Sequence, residues 1–307
     1  MRITNRMIMN SHQRNLSRSL NQLYRVENQL STGRLVNKPS DNPVNASRIM
    51  GYQNRIARNE QLMHNLEESM LFNDLADSTL GDVNAQLQRI KDLTQQAANG
   101  TSSDDDRESI AAEIDQLASA ILQFLNVTNG EEFIFGGAVT DRPPFTLVDG
   151  QVVYQGDDEI IQVSISSGIT IGKNIPGSQI LGGVVVGTDE DGEDIVANLF
   201  ETLNELSEAI RSGDSEQLSE LMIHLDQHTN NISQNRARVG LTYQRLELSL
   251  ASTEKINLNL TESLSRIQDV DFAEKSMELV ILETTYLATI QIAAQISSRP
   301  TLLNFLR

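Results

Sequence analysis

Apolar side chains recur at intervals of three and four along most of the chain, the spacing that gathers them on one face of an α-helix. The first seam comprises Met9, Leu16, Leu20, Leu23 and Leu30. A second series extends from about Asn45 to Ala98 and shifts by one residue near Asn73, a stammer that locally overwinds a coiled coil. The pattern predicts an amphipathic N-terminal helix, followed by a helix far longer than the usual length of about 11 to 12 residues.

Proline and glycine interrupt this periodicity between the two helices. Gly33 suits a helix C-terminus, and Pro39 and Pro43 prevent a helix from continuing through them. Ser40 or Asp41 could cap the helix that follows. The segment predicts a hinge between two helices.

After Asn129-Gly130 the period changes from helical to strand-like, and a β-rich insert is predicted over residues 131–193. Two strands, 145–148 and 151–154, flank Asp149-Gly150, a strong signal for a type I′ hairpin. Further strands are predicted at 160–165, 169–171 and 184–186. The helical period returns at Ile195.

The helices on either side of the insert predict a coiled-coil bundle built from residues 44–130 and 194–267. Between Leu218 and Ile267, fifteen positions follow strict heptad spacing and eleven of them are apolar. The expected core positions of this bundle include Leu66, Leu87, Ile114, Leu225, Leu246 and Leu260. The predicted fold is therefore mainly α, with a long helical bundle formed by the N- and C-terminal segments and a small β domain inserted between them.

The run from Phe272 to Ser298 is apolar on two sides of one predicted helix. Glu278 and Glu283 interrupt it too often for a bilayer span, because a charge near the bilayer centre costs about 2.5 to 3.5 kcal/mol. Its burial must then come from protein, and we predict that residues 1–43 and 268–307 form a layer that folds on assembly. The predicted assembly interface comprises Leu16, Leu20, Leu23, Leu30, Met277, Val280, Leu287, Ile290 and Ile296.

Charge is distributed unevenly along the chain. The formal net charge is −18, which argues against general nucleic-acid binding. Residues 1–58 hold ten basic side chains and two acidic ones, a net charge of +8, so the remaining residues carry −26. A basic amphipathic N-terminal helix also fits a transit peptide or a membrane-surface helix. No apolar segment typical of a cleaved secretory signal follows the first charges.

Candidate chemistry is sparse. His224 and His228 have the spacing of two metal ligands on a helix, but the glutamate of the zincin pattern is missing, and surface-exposed histidines are the favoured interpretation. The acidic loop 189–194 places Gly192 fourth, unlike an EF-hand. Cysteine is absent, which excludes thiolate sites and disulfides. We expect neither enzymatic activity, nor a metal, nor a cofactor.

Four motifs resemble those of bacterial flagellins. They are LSTGRLVNKPSDNP from Leu30, FIFGG at 133–137, the arginine-rich run 235–240 followed by Arg245-Leu246-Glu247, and DVDFAEKSMELV at 269–280. Filament flagellins usually read Asp-Asp-Ala-Ala-Gly where this chain has residues 41–45, and usually end in a Gln-rich tail where it has residues 298–301. At these positions the chain is more similar to the hook-associated junction members of the family.

The resemblance implies a tube in which the paired terminal helices line the inside, the bundle forms the next shell and the insert points outward. It implies a homo-oligomeric ring between hook-associated subunits on the hook side and flagellin on the filament side. It further implies type III export without a cleaved signal, with a cytoplasmic chaperone on the C-terminal helix, and no nucleic acid or membrane partner. A filament flagellin, or a secreted coiled-coil interaction module, remains the alternative.

Overall fold

The computed structural model describes residues 5–98, 103–148, 150–166, 168–188 and 194–298. Its helices are α1 (Asn5–Thr32), α2 (Pro43–Ala98), α3 (Asp104–Leu125), α4 (Gly177–Leu181), α5 (Leu199–Ser212), α6 (Ser215–Gln268) and α7 (Phe272–Ser298). Its strands are β1 (Thr128–Asn129), β2 (Glu132–Phe133), β3 (Phe145–Val148), β4 (Gln151–Tyr154), β5 (Gln162–Ser166), β6 (Ile169–Gly172), β7 (Val184–Thr188) and β8 (Asp194–Ala197). The predicted fold class, mainly α with a β insert, is confirmed.

The chain divides into two compact units. Unit 1 takes the described parts of Met1–Asn59 and Ile256–Arg307, and unit 2 takes those of Glu60–Lys255. Unit 1 therefore contains α1, α7, the first part of α2 and the last part of α6, whereas unit 2 contains the insert and the remaining helices.

The insert consists of antiparallel strand pairs, β1–β2, β3–β4, β5–β6 and β7–β8. The predicted hairpin at 145–154 is present as β3–β4, with Leu147 opposite Val152. Its turn residue Asp149 lies outside the described residues, and Gly150 has φ of 84°, the left-handed conformation that such a turn needs.

The predicted return of helix at Ile195 is wrong. Residues 194–197 form β8, which pairs with β7, and α5 begins only at Leu199. Asn198 sets that start, because its side-chain oxygen accepts hydrogen bonds from the backbone N–H groups of Phe200 and Glu201, each at 3.0 Å. A local cap therefore places the boundary four residues later than the apolar pattern indicated.

The core of unit 2 is shared between helices and insert. One cluster joins α2, α3, α5 and α6 to Phe135 and Phe145, which are both fully buried. A second, smaller cluster places Ile165 of β5 and Ile171 of β6 with Leu66 and Leu246. The strand pairs thus contribute apolar side chains directly to the bundle core.

A capping box starts α3. The Ser103 hydroxyl accepts from the Asp106 N–H at 3.2 Å, and the Asp106 carboxylate accepts from the Ser103 N–H at 3.1 Å. The Ser103 hydroxyl also donates to the Asp106 carboxylate at 2.7 Å, and this bond, with the one from the Ser103 N–H, lowers the pKa of Asp106 below its ordinary value. Ser103 is thus the N-cap of α3, and both ends of the box satisfy backbone donors that the first helical turn leaves free.

Candidate assembly surface

The side chains of Asn42 and Asp41 stabilise the joint between α1 and α2 through hydrogen bonds to nearby backbone N–H groups. Asn42 caps α2, because its side-chain oxygen accepts from the Asn45 N–H at 3.1 Å. The expectation that Ser40 or Asp41 caps this helix is wrong, since Pro43 occupies the first helical position and so places the cap at residue 42. The Asp41 carboxylate instead accepts from the Asn37 and Lys38 N–H groups, at 3.2 and 2.9 Å.

Gly33 ends α1 with φ of 67°, a left-handed conformation that glycine adopts readily. A short backbone ladder ties the segment that follows α1 to the end of α6 and the turn between α6 and α7. Leu35 N–H donates to the Gln268 carbonyl at 2.7 Å, and Val270 N–H donates to the Gly33 carbonyl at 3.0 Å. Pro39 and Pro43 are exposed on the same joint. Gly33, Pro39 and Asp41 thus lie between α1 and α2, and Pro43 is the first residue of α2. The hinge role of these four residues remains a prediction.

Helices α1 and α7 pack against each other within unit 1. The α1 residues predicted for the assembly interface, which are Leu16, Leu20, Leu23 and Leu30, are all half-buried. Val26, which the apolar seam omitted, is buried on the same helix. On α7 the half-buried positions recur at helical spacing and include Leu279, Leu282, Tyr286 and Ala293. One apolar stripe of each helix is therefore partly buried within the subunit.

The other apolar side of α7 is exposed. Met277, Val280 and Leu287 expose 63%, 60% and 60% of their surface, and Ile281 and Ile292 are similarly open. Ile290 lies at the edge of this face with 39% exposed. The side chain of Ile296 lies outside the described residues. We call Met277, Val280, Ile281, Leu287 and Ile292 the outer face of α7.

By length and hydropathy alone, Phe272–Gln295 is long and apolar enough to cross a membrane. Glu278 and Glu283 lie within the stretch. Glu278 is partly buried and accepts a hydrogen bond from Lys275 at 2.5 Å. A helix that keeps such charged groups near its middle is unfavourable in hydrocarbon. A protein environment therefore suits this helix better.

The predicted bundle-core residues are all buried. They are Leu66, Leu87, Ile114, Leu225, Leu246 and Leu260. Two of the four polar positions in the heptad series of α6, Thr229 and Arg236, lie in different environments. The Thr229 hydroxyl donates to the Leu225 carbonyl at 2.8 Å and is buried, whereas Arg236 reaches Asp77 at 2.8 Å near the surface.

The interpretation of His224 and His228 as surface histidines is wrong for His228, which is only 1% exposed. Its Nε2 lies 3.1 Å from the Thr202 hydroxyl oxygen, and its Nδ1 has no hydrogen-bond partner. Burial, with a smaller contribution from the charge of His224, lowers the pKa of His228 to about 4. Within the described part of the chain, no group of three or more metal-ligating side chains occurs. This histidine is a neutral core residue.

The motif that begins at Asn235 fastens the insert to α6. Asn231 and Asn235 both donate from their side-chain amides to the Gln179 carbonyl at 2.9 Å. Arg238 adds a longer contact of 3.4 Å to the Gln179 side chain. A polar cleft of about 720 Å³ lies here. The motif is recognisable in the sequence but its role is not, because the acceptor is a backbone carbonyl distant in sequence.

Comparison with known proteins points to one family. The model of the bacterial flagellin N-terminal helical region matches residues 3–140, and that of the C-terminal helical region matches residues 222–306. The chain is 28% identical to flagellar hook-associated protein 3 of Escherichia coli K12, over 94% of this chain and 95% of that protein. It is also 25% identical to the flagellin of Bacillus subtilis 168, over 88% of each.

Among solved structures, FlgL of Bacillus cereus superposes with a TM-score of 0.58 and 25% identity, over 70% of this chain and 99% of that one. The two matching family models describe helical regions, and they fall on the α1–α3 and α6–α7 segments. Together they span well over half of the sequence. The chain therefore belongs to the bacterial flagellin family.

Proposed function

We propose that the chain is a structural subunit of the bacterial flagellum that joins hook-associated subunits to the flagellin filament. The observation that carries this proposal is the outer face of α7, an exposed apolar surface on one of the two terminal helices. The Escherichia coli relative named flagellar hook-associated protein 3 aligns over nearly the whole of both chains. The function is structural, as it is for the relatives, and involves no catalysis.

The outer face of α7 requires a partner for energetic reasons. Fully burying one large aliphatic side chain contributes about 1.5 to 3 kcal/mol. Five such residues, each more than half exposed, leave on the order of 5 kcal/mol or more available for assembly. Contiguous apolar surface of this kind marks an interaction site.

We place the chain in a ring of identical subunits, with hook-associated subunits on one side and flagellin on the other. The residues assigned to this interface are Met277, Val280, Leu287, Ile290 and Ile296 of α7 together with Leu16, Leu20, Leu23 and Leu30 of α1, the helix that packs on α7. Before assembly a cytoplasmic chaperone covers the outer face of α7, and the chain leaves the cell by type III export without a cleaved signal. The three-layer division of the chain at residues 43, 130, 193 and 267 belongs to the same proposal.

Leu287→Asp in a strain lacking the native copy tests this role. We expect the protein to be exported and the hooks to form, but flagellin to be shed into the medium, because a charge on the outer face prevents subunit packing. Leu287→Met preserves an apolar side chain of similar size and serves as the control with normal filaments. Normal filaments in the Leu287→Asp strain would contradict the assembly role.

A filament flagellin is the second candidate, since the Bacillus subtilis flagellin aligns over 88% of this chain. Seeded polymerisation distinguishes the two functions. A junction subunit should stop after a short assembly, whereas a flagellin should extend seeds into long filaments visible by electron microscopy.

A further inference from the structure

Several arginines of unit 2 pair with carboxylates, whereas a series of arginines in the N-terminal part of unit 1 forms no such pair among the described residues. In unit 2, Arg89 pairs with Glu113 at 2.7 Å and Arg211 pairs with Asp115 at 2.6 Å. Both pairs join different helices. In unit 1, the arginines between residues 14 and 58 form no ion pair with any carboxylate in the described part of the chain. They are Arg14, Arg18, Arg25, Arg34, Arg48, Arg55 and Arg58.

Two of these arginines line a cleft on unit 1. The cleft has a volume of about 300 Å³ and is lined by Arg48, Gly51, Tyr52, Arg55 and Ile267. Arg48 and Arg55 are seven residues apart on α2, which separates them by about 10 Å along the helix axis. Gly51 leaves the space between them open, since a Cβ placed there would meet no atom within 4 Å. We call this the arginine cleft.

The chemistry of the arginine cleft favours carboxylates. A guanidinium group forms bidentate hydrogen bonds with a carboxylate. The charges of Arg48 and Arg55 therefore suit a partner that supplies carboxylates. Its lining includes no acidic side chain. Two guanidinium groups one heptad apart best match two carboxylates that have the same spacing on another helix.

The chain itself carries such a set of carboxylates. Glu60, Glu67 and Asp74 follow α2 at intervals of seven residues, and all three are exposed. None of them forms an ion pair with a described basic side chain. We call this set the acidic ladder. Its spacing equals that of Arg48 and Arg55, so the two sets are complementary in charge and in distance.

We propose that the arginine cleft of one subunit binds the acidic ladder of a second copy of the chain. Overall charge supports a second copy as the occupant, because residues 1–58 carry +8 and the rest carries −26. The basic residues 1–58 of one copy therefore attract the acidic remainder of another. This contact would supply part of the subunit packing that the proposed function requires. It is tested on the purified chain, so its failure leaves that function standing.

The test uses charge reversal in the full-length chain and analytical ultracentrifugation. We expect the unchanged protein to self-associate at about 20 mM ionic strength and to dissociate at about 500 mM, where the Debye length is only a few ångströms. The pair Arg48→Glu with Arg55→Glu should raise the dissociation constant roughly tenfold or more. The pair Glu67→Arg with Asp74→Arg, which reverses charges in the acidic ladder, should raise the dissociation constant by a similar factor.

The decisive experiment mixes the arginine double variant (Arg48→Glu with Arg55→Glu) with the acidic double variant (Glu67→Arg with Asp74→Arg). The first variant keeps the acidic ladder and the second keeps the arginine cleft, so an equimolar mixture should recover association that neither shows alone. All four side chains are exposed, and circular dichroism of each variant checks that the helices remain folded. Absence of association in the unchanged protein, or a mixture no better than its components, would overturn the proposal. Binding of the Arg48 and Arg55 region to anionic vesicles of phosphatidylglycerol instead would also overturn it.

A cross-linking experiment locates the contact. Arg48→Lys and Arg55→Lys keep the charge and introduce amines that a carbodiimide couples to adjacent carboxylates. In a mixture of ¹⁴N and ¹⁵N chains, we expect cross-links between chains to Glu60, Glu67 or Asp74. Arg89→Lys is the matched control, because Arg89 pairs with Glu113 inside its own subunit and should give a cross-link within one chain. Cross-links from residues 48 and 55 only within a chain would contradict the proposal.

Discussion

The buried imidazole of His228 makes the stability of unit 2 depend on pH in a way that can be calculated. Its Nδ1 has no hydrogen-bond partner, while its Nε2 lies 3.1 Å from the Thr202 hydroxyl. That hydroxyl is also 3.2 Å from the Asn198 carbonyl. The arrangement favours a proton on Nε2 that is donated to Thr202, with the Thr202 proton donated to Asn198. Protonating Nδ1 would place a second N–H in a buried site without an acceptor.

The folded-state pKa of about 4 lies below the unfolded value of 6.5. As the pH falls, the unfolded chain therefore binds a proton at this residue before the folded chain does. The contribution of His228 to the free energy of unfolding is therefore largest above pH 6.5, declines between pH 6.5 and 4, and is constant below pH 4. One pKa unit corresponds to about 1.4 kcal/mol, so the loss is about 2 kcal/mol at pH 5 and about 3 kcal/mol at its limit.

Urea unfolding followed by circular dichroism at pH 8, 6 and 5 measures this loss. His228→Gln removes the titrating group while keeping an amide near Thr202, so its unfolding free energy should fall about 2 kcal/mol less than that of the unchanged protein between pH 8 and 5. His64→Gln changes an exposed histidine and is the matched control. If His228→Gln follows the same pH profile as the unchanged protein, the buried neutral imidazole is not the cause.

Two further predictions concern the bundle. Leu246→Asp should destabilise unit 2 by about 3 kcal/mol or more, because the side chain is fully buried and packs with residues of β5 and β6. The control is Leu248→Asp, at a position 65% exposed on the same helix, which should destabilise the protein by less than about 0.5 kcal/mol. Equal thermal midpoints for the two variants would show that the heptad register is misplaced. A double-mutant cycle of Arg236→Ala and Asp77→Ala should give a coupling energy of about 1 kcal/mol or less that weakens with salt, since both side chains are substantially exposed. A coupling energy unaffected by salt would contradict this estimate.

The outer face of α7 and the heptad seam of α6 illustrate what local pattern can determine. Both were read from the three- and four-residue recurrence of apolar side chains, and that recurrence depends only on the geometry of one helix. The two-sided apolar character of α7 was also apparent in this way. The sequence pattern did not reveal which of the two stripes packs on α1 within the subunit, because that depends on a helix more than two hundred residues earlier in the sequence.

The amino-acid sequence by itself determined the long helices, the break at Gly33, the β3–β4 hairpin and the family, because each depends on local periodicity, backbone preference or a contiguous motif. The tertiary structure alone decided the strand at residues 194–197, the burial of His228 and the pairing of Arg236 with Asp77. The strand forms because residues 194–197 pair with β7, whereas the cap at Asn198 that starts α5 is a local signal in the sequence. The other two depended on Thr202 and Asp77, whose positions beside α6 arise from packing between segments distant in sequence.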